Sequence, residues 1–313
     1  MAIEFEKELG GVVLADTLID LVNEGLDIVT IENDLRFTFT NRFRETFPDR
    51  FIEAGIAEAN SIGLAAGMSE AGMIPVVHSL TPFITRRCYD QIVISIQYSG
   101  LHVKLIGTDP GIYSQMNGGT HLGVEDVAIM RAVPNMLIIS PVDNTALKSL
   151  VRQAMADERS AYIRISRKLS RVVYHEGATF EIGKANTVRE GSDLTIIAND
   201  LMVAWSMDAA EELAKEGISA KVLDMHTIKP IDREAIIEAA KMGPIVTAEN
   251  ASVIGGLGSA VAEVLAEEQL APGFTRVGIQ DRYGVVGFLE DISEELNMTP
   301  ADIAAAARKV LKK

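Results

Sequence analysis

The chain is short of the residues that carry several common kinds of function. Among 313 residues there is one cysteine, Cys88, which excludes an internal disulfide framework and a cysteine-based zinc site. The five histidines (His78, His102, His121, His175 and His226) are scattered, with no H-x-x-x-H pair to suggest two metal ligands on one helix face. Aromatics make up only 5% of the chain, too few for an aromatic-rich sandwich. Positive charge is scarce too: 29 Lys and Arg against 44 Asp and Glu leave a net charge of −15. A phosphate backbone rewards basic patches, so nucleic acid is not an expected partner. No apolar run approaches the length of a membrane span, and "MAIEFEKELGG" is mixed and acidic rather than a signal peptide. The expectation is a soluble, cytoplasmic protein that neither enters a membrane nor binds nucleic acid.

What is abundant is aliphatic. Hydrophobic residues reach 48% and the mean hydropathy is +0.17. Short β-branched runs alternate with alanine-rich helical patterns. The strand candidates are "DIVTIEND" (27–34), "IPVVHSL" (74–80), "HVKLIGTD" (102–109), "NMLIISP" (135–141), "SAYIRIS" (160–166), "DLTIIAND" (193–200), "SAKVLDMH" (219–226), "PIVTAEN" (244–250) and "TRVGIQD" (275–281). Several are almost wholly apolar, as strands buried on both faces must be. Helices such as "VAWSMDAAEELAKEG" separate them, so the pattern predicts an α/β protein with doubly wound, mainly parallel sheets. The polar, glycine-punctuated stretch from Arg167 to Asp193 breaks the rhythm and reads as a join. We place one domain at 1–175, a linker at 176–192 and a smaller second domain at 193–313.

Ligands of open α/β sheets gather at the carboxyl ends of strands, where Asp34, His78, Asp109 and Arg167 stand in the first domain. In the second domain, the glycines of "AENASVIGGLGSAVAEV" allow a phosphate cradle, but a tight turn into a closely packed helix explains them as well. Glu58, in "FIEAGIAEANSIGLAAGMSEAG", shares a helical stripe with Ile62 and Ala65. A carboxylate on that stripe is either buried and paired or protonated, or it is a first-turn glutamate favoured by the helix dipole. Downstream, Phe83 in "HSLTPFITRRCYDQI" is an aromatic platform or core, and Arg86 and Arg87 bind an acidic neighbour or are solvated. The stretch "MNGGTHLGVED" (116–126) leaves three readings: a phosphate cradle, a metal ligand set, or a loop that aims the His121 imidazole.

"DRFIEAGIAEANSIGLAAGMSEAGMIPVVHSLTPFITRRCYDQI" resembles the pyrimidine-binding domain of transketolases. "GGTHLGVEDVAIMRAVPNMLIISPVD" and "SAYIRISR" follow in that family's order and spacing. "AAEELAKEGISAKVLDMHTIKPID" and "VTAENASVIGGLGSAVAEVL" are similar to the transketolase C-terminal domain. The G-D-G motif and later asparagine with which thiamine diphosphate enzymes hold diphosphate and metal are absent from the chain. The resemblance therefore implies the small subunit of a split transketolase, whose large subunit carries the diphosphate-binding domain and holds Mg2+ or Ca2+. A heterotetramer is implied, with a homodimer as the alternative for the isolated chain, and the helix from Ala59 to Gly72 is the candidate interface element.

The resemblance also assigns roles. Glu58 matches the glutamate that hydrogen-bonds the aminopyrimidine ring nitrogen of thiamine diphosphate, with Ile56 of the same G-I-A-E motif beside it. Phe83 matches the aromatic that stacks on that ring, and Asp34 an aspartate near the cofactor. His121 matches a histidine at the donor carbonyl oxygen, and Arg167 an arginine that binds substrate phosphate. Three positions depart from the pattern. Asn117 replaces the aspartate of D-G-x-T-H that reads a sugar hydroxyl, and Asp109 stands where a phosphate-contacting histidine is usual, as an anion that would repel phosphate. Lys7 takes the place of a phosphate-binding arginine. The implied activity is transfer of a two-carbon ketol unit from a ketose phosphate to an aldose or aldehyde. A 2-oxoacid dehydrogenase β subunit and a deoxyxylulose phosphate synthase are the nearest alternatives, although their usual patterns differ from "GGTH" and from a short chain. A non-catalytic scaffold that has lost its chemistry is the alternative of another class.

Overall fold

The computed structural model describes residues 4–35 and 38–312. Its strands are β1 (Ile28–Glu32), β2 (Phe51–Glu53), β3 (Ile74–Leu80), β4 (Lys104–Thr108), β5 (Leu137–Ile139), β6 (Ala161–Ile165), β7 (Asn186–Arg189), β8 (Leu194–Ala198), β9 (Ala220–Asp224), β10 (Thr227–Lys229), β11 (Ile245–Ser252) and β12 (Phe274–Ile279). Two sheets form, ordered β10-β5-β6-β4-β3-β1-β2 and β12-β11-β8-β9-β7. All pairings are parallel except the edge pairs β10–β5 and β7–β9. The central strands β1, β4, β6 and β8 are buried along their whole length, which explains their unbroken apolar runs.

Helices cover both faces of each sheet. The first domain carries α1 (Gly10–Asn23), α2 (Thr38–Thr46), α3 (Glu58–Glu70), α4 (Thr81–Ile84), α5 (Tyr89–Gln91), α6 (Asp126–Ala132) and α7 (Asn144–Ala156). The second carries α8 (Leu201–Ala214), α9 (Arg233–Met242), α10 (Leu257–Glu267), α11 (Leu289–Glu295) and α12 (Pro300–Leu311). Asp143 caps α7 through Ala146 N–H (2.9 Å) and its other oxygen accepts from Val173 and Tyr174 N–H, pinning the chain as it leaves the first sheet. Among the described residues no helix is long and apolar enough to cross a membrane.

Two features modify the domain boundaries expected from the sequence. The stretch 176–192, read as a linker, contributes β7, an edge of the second sheet. After β9 the chain also lends β10 to the first sheet, where Thr227 pairs with Ile139. The domains are thus interlocked rather than strung on a free tether.

Candidate active site

From β1 the chain moves outward to β2, then crosses to β3 on the other side of β1, so the crevice beyond β1 and β3 is a topological switch point. A buried polar network floors it. Both oxygens of Glu32 lie 2.9–3.0 Å from His78 Nδ1, and His78 Nε2 is 3.2 Å from Thr108 Oγ1. Asn33 Nδ2 donates to the His78 carbonyl (2.8 Å), and Ser61 Oγ donates to Asn33 Oδ1 (2.6 Å). Polar groups at such depth persist because each is matched, and together they fix the strand ends.

Glu58 opens α3 and is both things its spacing allowed: a first-turn glutamate and a buried one, 2% exposed. Its carboxylate accepts from Ser79 Oγ at the end of β3 (3.2 Å) and from Arg87 Nη1, 2.9 Å from each oxygen. The Arg87 guanidinium also lies 3.9 Å from the Phe83 ring centroid. Phe83 is half-buried in α4, and its far neighbour is the His121 ring, edge-on with centroids 5.1 Å apart. Three expected residues, Glu58, Phe83 and His121, therefore meet in one place, joined by Arg87 and Ser79, whose contacts were not apparent from the sequence.

The "MNGGTHLGVED" loop is built to present His121. Gly118 adopts φ +73° and its carbonyl accepts from His121 and Leu122 N–H, closing a tight turn. Ser114 Oγ bonds the His121 carbonyl (2.8 Å), and Thr120 Oγ1 lies 2.8 Å from His121 Nδ1. A hydroxyl can donate or accept, so Thr120 suits either neutral imidazole tautomer. Asn117, just before the turn, is exposed. Among the described residues, no three His, Cys, Asp or Glu side chains are placed to share a metal ion.

The remaining expected residues lie around this centre. Asp34, at φ +57°, is exposed just beyond β1, with its N–H on Glu53 Oε1, and Ile56 is 75% exposed ahead of α3. Arg167 and Asp109, given opposite effects on a phosphate, are partners: Asp109 accepts from Arg167 N–H (2.9 Å) and Nε (2.6 Å), with Nη2 at 2.5 Å. Asp109 is thus not a bare anion but the anchor of the arginine. Lys7 is exposed on a segment bonded to Ser170 and Val172 at its start, and no described contact brings it to Glu58.

The second domain reaches this loop from two sides. Asn250, in β11, accepts from Ile112 N–H (2.9 Å) and donates to the Pro110 carbonyl (3.0 Å), gripping the start of the His121 loop. At the other end, a Cβ on Gly118 would come within 2.8 Å of Val286, and one on Gly119 within 2.9 Å of the Gly284 carbonyl. The glycine-rich turn before α10 already has its acceptor. Glu249 accepts from Leu257 N–H (2.6 Å) and Gly258 N–H (2.9 Å), and burial pushes its carboxyl up to about 7. That helix start is closed off by the protein's own side chain, in keeping with the packing reading of its glycines.

The same two-domain division appears in comparisons with known proteins. Residues 11–172 match the transketolase pyrimidine-binding domain, and residues 183–303 match the transketolase C-terminal domain. The chain belongs to the transketolase family. It is 45% identical to the 6-deoxy-6-sulfo-D-fructose transketolase subunit SqwH of Clostridium sp. (strain MSTE9), across 99% of this chain and 98% of that protein. It is 35% identical to an apulose-4-phosphate transketolase subunit of Phocaeicola vulgatus, across 95% and 96% of the two chains. Among solved structures it is similar to a split gene transketolase described as an inactive beta4 tetramer, with TM-score 0.89, 39% identity and 97% and 98% coverage. These relatives are of nearly its own length and are transketolase subunits or split-gene chains.

Proposed function

We propose that this chain is the small subunit of a split, thiamine diphosphate-dependent transketolase that moves a two-carbon ketol unit from a ketose phosphate to an aldose or aldehyde. The observation that carries the proposal is the meeting of a buried carboxylate, a stacking aromatic and a loop-borne imidazole at the switch-point crevice. The residues present fit one half of the cofactor. Glu58 and Phe83 already hold a flat, nitrogen-bearing cation between them, the chemistry an aminopyrimidine would need. The diphosphate and its Mg2+ or Ca2+ are assigned to the large subunit.

When bound, thiamine diphosphate supplies a carbon nucleophile able to attack a ketose carbonyl. The chain's own residues orient and protonate. Glu58 shares a proton with the ring nitrogen, and its burial keeps water from competing for that bond. Phe83 sets the plane of the ring, with Ile56 beside it and Asp34 at the crevice mouth. His121 exchanges a proton with the substrate carbonyl oxygen, its ring oriented by Thr120. Arg167, steered by Asp109, presents a guanidinium edge to the sugar's anionic end, aided by Lys7. Asn117 reads a hydroxyl as a neutral acceptor.

A large subunit completes the site, in a heterotetramer. Self-association of small subunits without that partner is supported by the relative solved as an inactive beta4 tetramer. The α3 face bearing Gly63, Leu64 and Gly67 is exposed and is our candidate contact. The decisive experiment mixes this chain with its large subunit, thiamine diphosphate and Mg2+ and assays ketol transfer. Glu58→Gln is expected to lower kcat by at least about 100-fold, in the range of a lost acid–base group. Unchanged activity would remove Glu58 from the mechanism.

A further inference from the structure

We infer that Arg87 is an internal stand-in for the cofactor's aminopyrimidine: it fills that position in the free chain and must swing out before the cofactor binds. This rests on the reading that Glu58 and Phe83 receive the ring. An aminopyrimidine needs two contacts here, an in-plane hydrogen bond to the Glu58 carboxylate and a face on Phe83. The Arg87 guanidinium makes both. Its Nη1 is 2.9 Å from each Glu58 oxygen, and its central carbon is 3.9 Å from the Phe83 ring centroid. At that separation no second flat group fits between them, so the guanidinium and the pyrimidine exclude each other.

An ordinary surface ion pair does not account for this arrangement. Such pairs join two solvated groups and contribute little, whereas here the acid is 2% exposed and only the arginine, at 42%, reaches solvent. The asymmetry has a use. Without a partner, Glu58 would be a buried, uncompensated charge in a chain waiting for its large subunit. Arg87 compensates it, and its open side leaves the head free to rotate outward. A guanidinium is planar as well as a multiple donor, which an ammonium is not, so lysine is a poor replacement. The consequence is competition: the cofactor's apparent affinity is reduced by the fraction of molecules in which Arg87 occupies the pocket.

The test uses the complex reconstituted with its large subunit and Mg2+, titrated with thiamine diphosphate by isothermal calorimetry. Arg87→Met keeps the stem but removes the guanidinium, with its charge, its donors and its face on Phe83. It is expected to tighten Kd about ten-fold, or 1.4 kcal/mol, while lowering the melting temperature of the free chain. Arg87→Lys, which keeps a cation for Glu58 if the methionine variant fails to fold, is expected to fall between the two. Wild-type complex that binds cofactor, with variants that bind it equally or more weakly, overturns the inference alone. Wild-type complex that binds no cofactor overturns the functional reading beneath it as well.

Discussion

The sharpest test of how the domains are joined is Arg164→Met. Arg164 projects from β6 and is fully buried. Its Nε donates to Asp126 (2.8 Å), Nη1 to Ser140 Oγ (3.0 Å) and Nη2 to the Asn250 carbonyl of the second domain (2.7 Å), and Nη1 lies 3.5 Å from Asp200. Methionine matches the stem but serves none of these acceptors. Asp126 keeps the Tyr162 hydroxyl (2.7 Å), yet its Oδ1 already has no partner among the described residues. Removing one member of a buried pair costs roughly 3–5 kcal/mol, and the orphaned Asn250 carbonyl adds about 1–3. Apolar contacts of the methionine return about 1–2 of this. A net loss of about 4 kcal/mol is expected, a large share of the 5–15 kcal/mol that sustains a typical fold. Urea unfolding of the isolated chain at pH 7, followed by circular dichroism, measures it. The double variant Arg164→Met with Asp126→Leu should recover at least about 2 kcal/mol, because the stranded charge is gone. A single variant that loses under about 1 kcal/mol, or a double variant no more stable than the single, refutes this account of the seam.

Further expectations follow from the same geometry. Burial pulls the His226 imidazole down to about 4, and its Nε2 has no partner among the described residues. The unfolded chain therefore binds the extra proton below about 6.5, so stability is full above that pH and falls as pH drops towards 4, by up to about 3 kcal/mol. His226→Gln should shrink that limb of the stability–pH profile without abolishing it, because burial also pulls the His102 imidazole down to about 4; an unchanged profile removes His226 as a source. Gly118→Ala forces a side chain into φ +73° and against Val286, 2.8 Å away, so unfolding should be easier by about 1–2 kcal/mol and kcat lower. Equal stability and turnover would show that the turn tolerates the methyl. Asp109→Asn sets an amide against the Arg167 donors, and both a lower chemical-denaturation midpoint and a changed KM for ketose phosphate are expected. An unchanged KM removes Arg167 from the phosphate site. Asn117→Asp is exposed, so stability should stay within about 0.5 kcal/mol while relative kcat/KM among acceptors shifts. Identical acceptor profiles would take that residue out of specificity.

Legibility in the sequence followed burial. The nine β-branched runs all became strands, because a strand covered on both faces must be apolar along its length. The strands with no clear signature in the sequence, β2, β7 and β10, all lie at sheet edges. They span three or four residues, and in β2 and β7 no residue is fully buried, so no apolar run marks them. β10 is unmarked for a second reason. It pairs across the domain boundary, and no local pattern says which sheet a short strand will join.

The site divides along the same line. Glu58 stood out because a charge on an alanine- and glycine-rich helical stripe is a local contradiction, visible within a few residues. Its resolution is not local: Ser79 and Arg87 lie 21 and 29 residues away, and Asp109 is 58 from Arg167. Spacing arguments reach one or two helical turns and cannot see such partners. The second domain is the extreme case. Nothing near "MNGGTHLGVED" announces that Asn250 will hold its approach or that Val286 will lean on its glycine turn. Yet those contacts explain why the turn needs two consecutive glycines and why a domain without a catalytic candidate of its own is joined so firmly to the first. It serves as the rigid backing for the loop that carries His121. Asn250→Ala is therefore expected to lower kcat of the reconstituted enzyme, because the Asn250 amide holds Pro110 and Ile112 at the start of the loop that carries His121; unchanged turnover would refute that role.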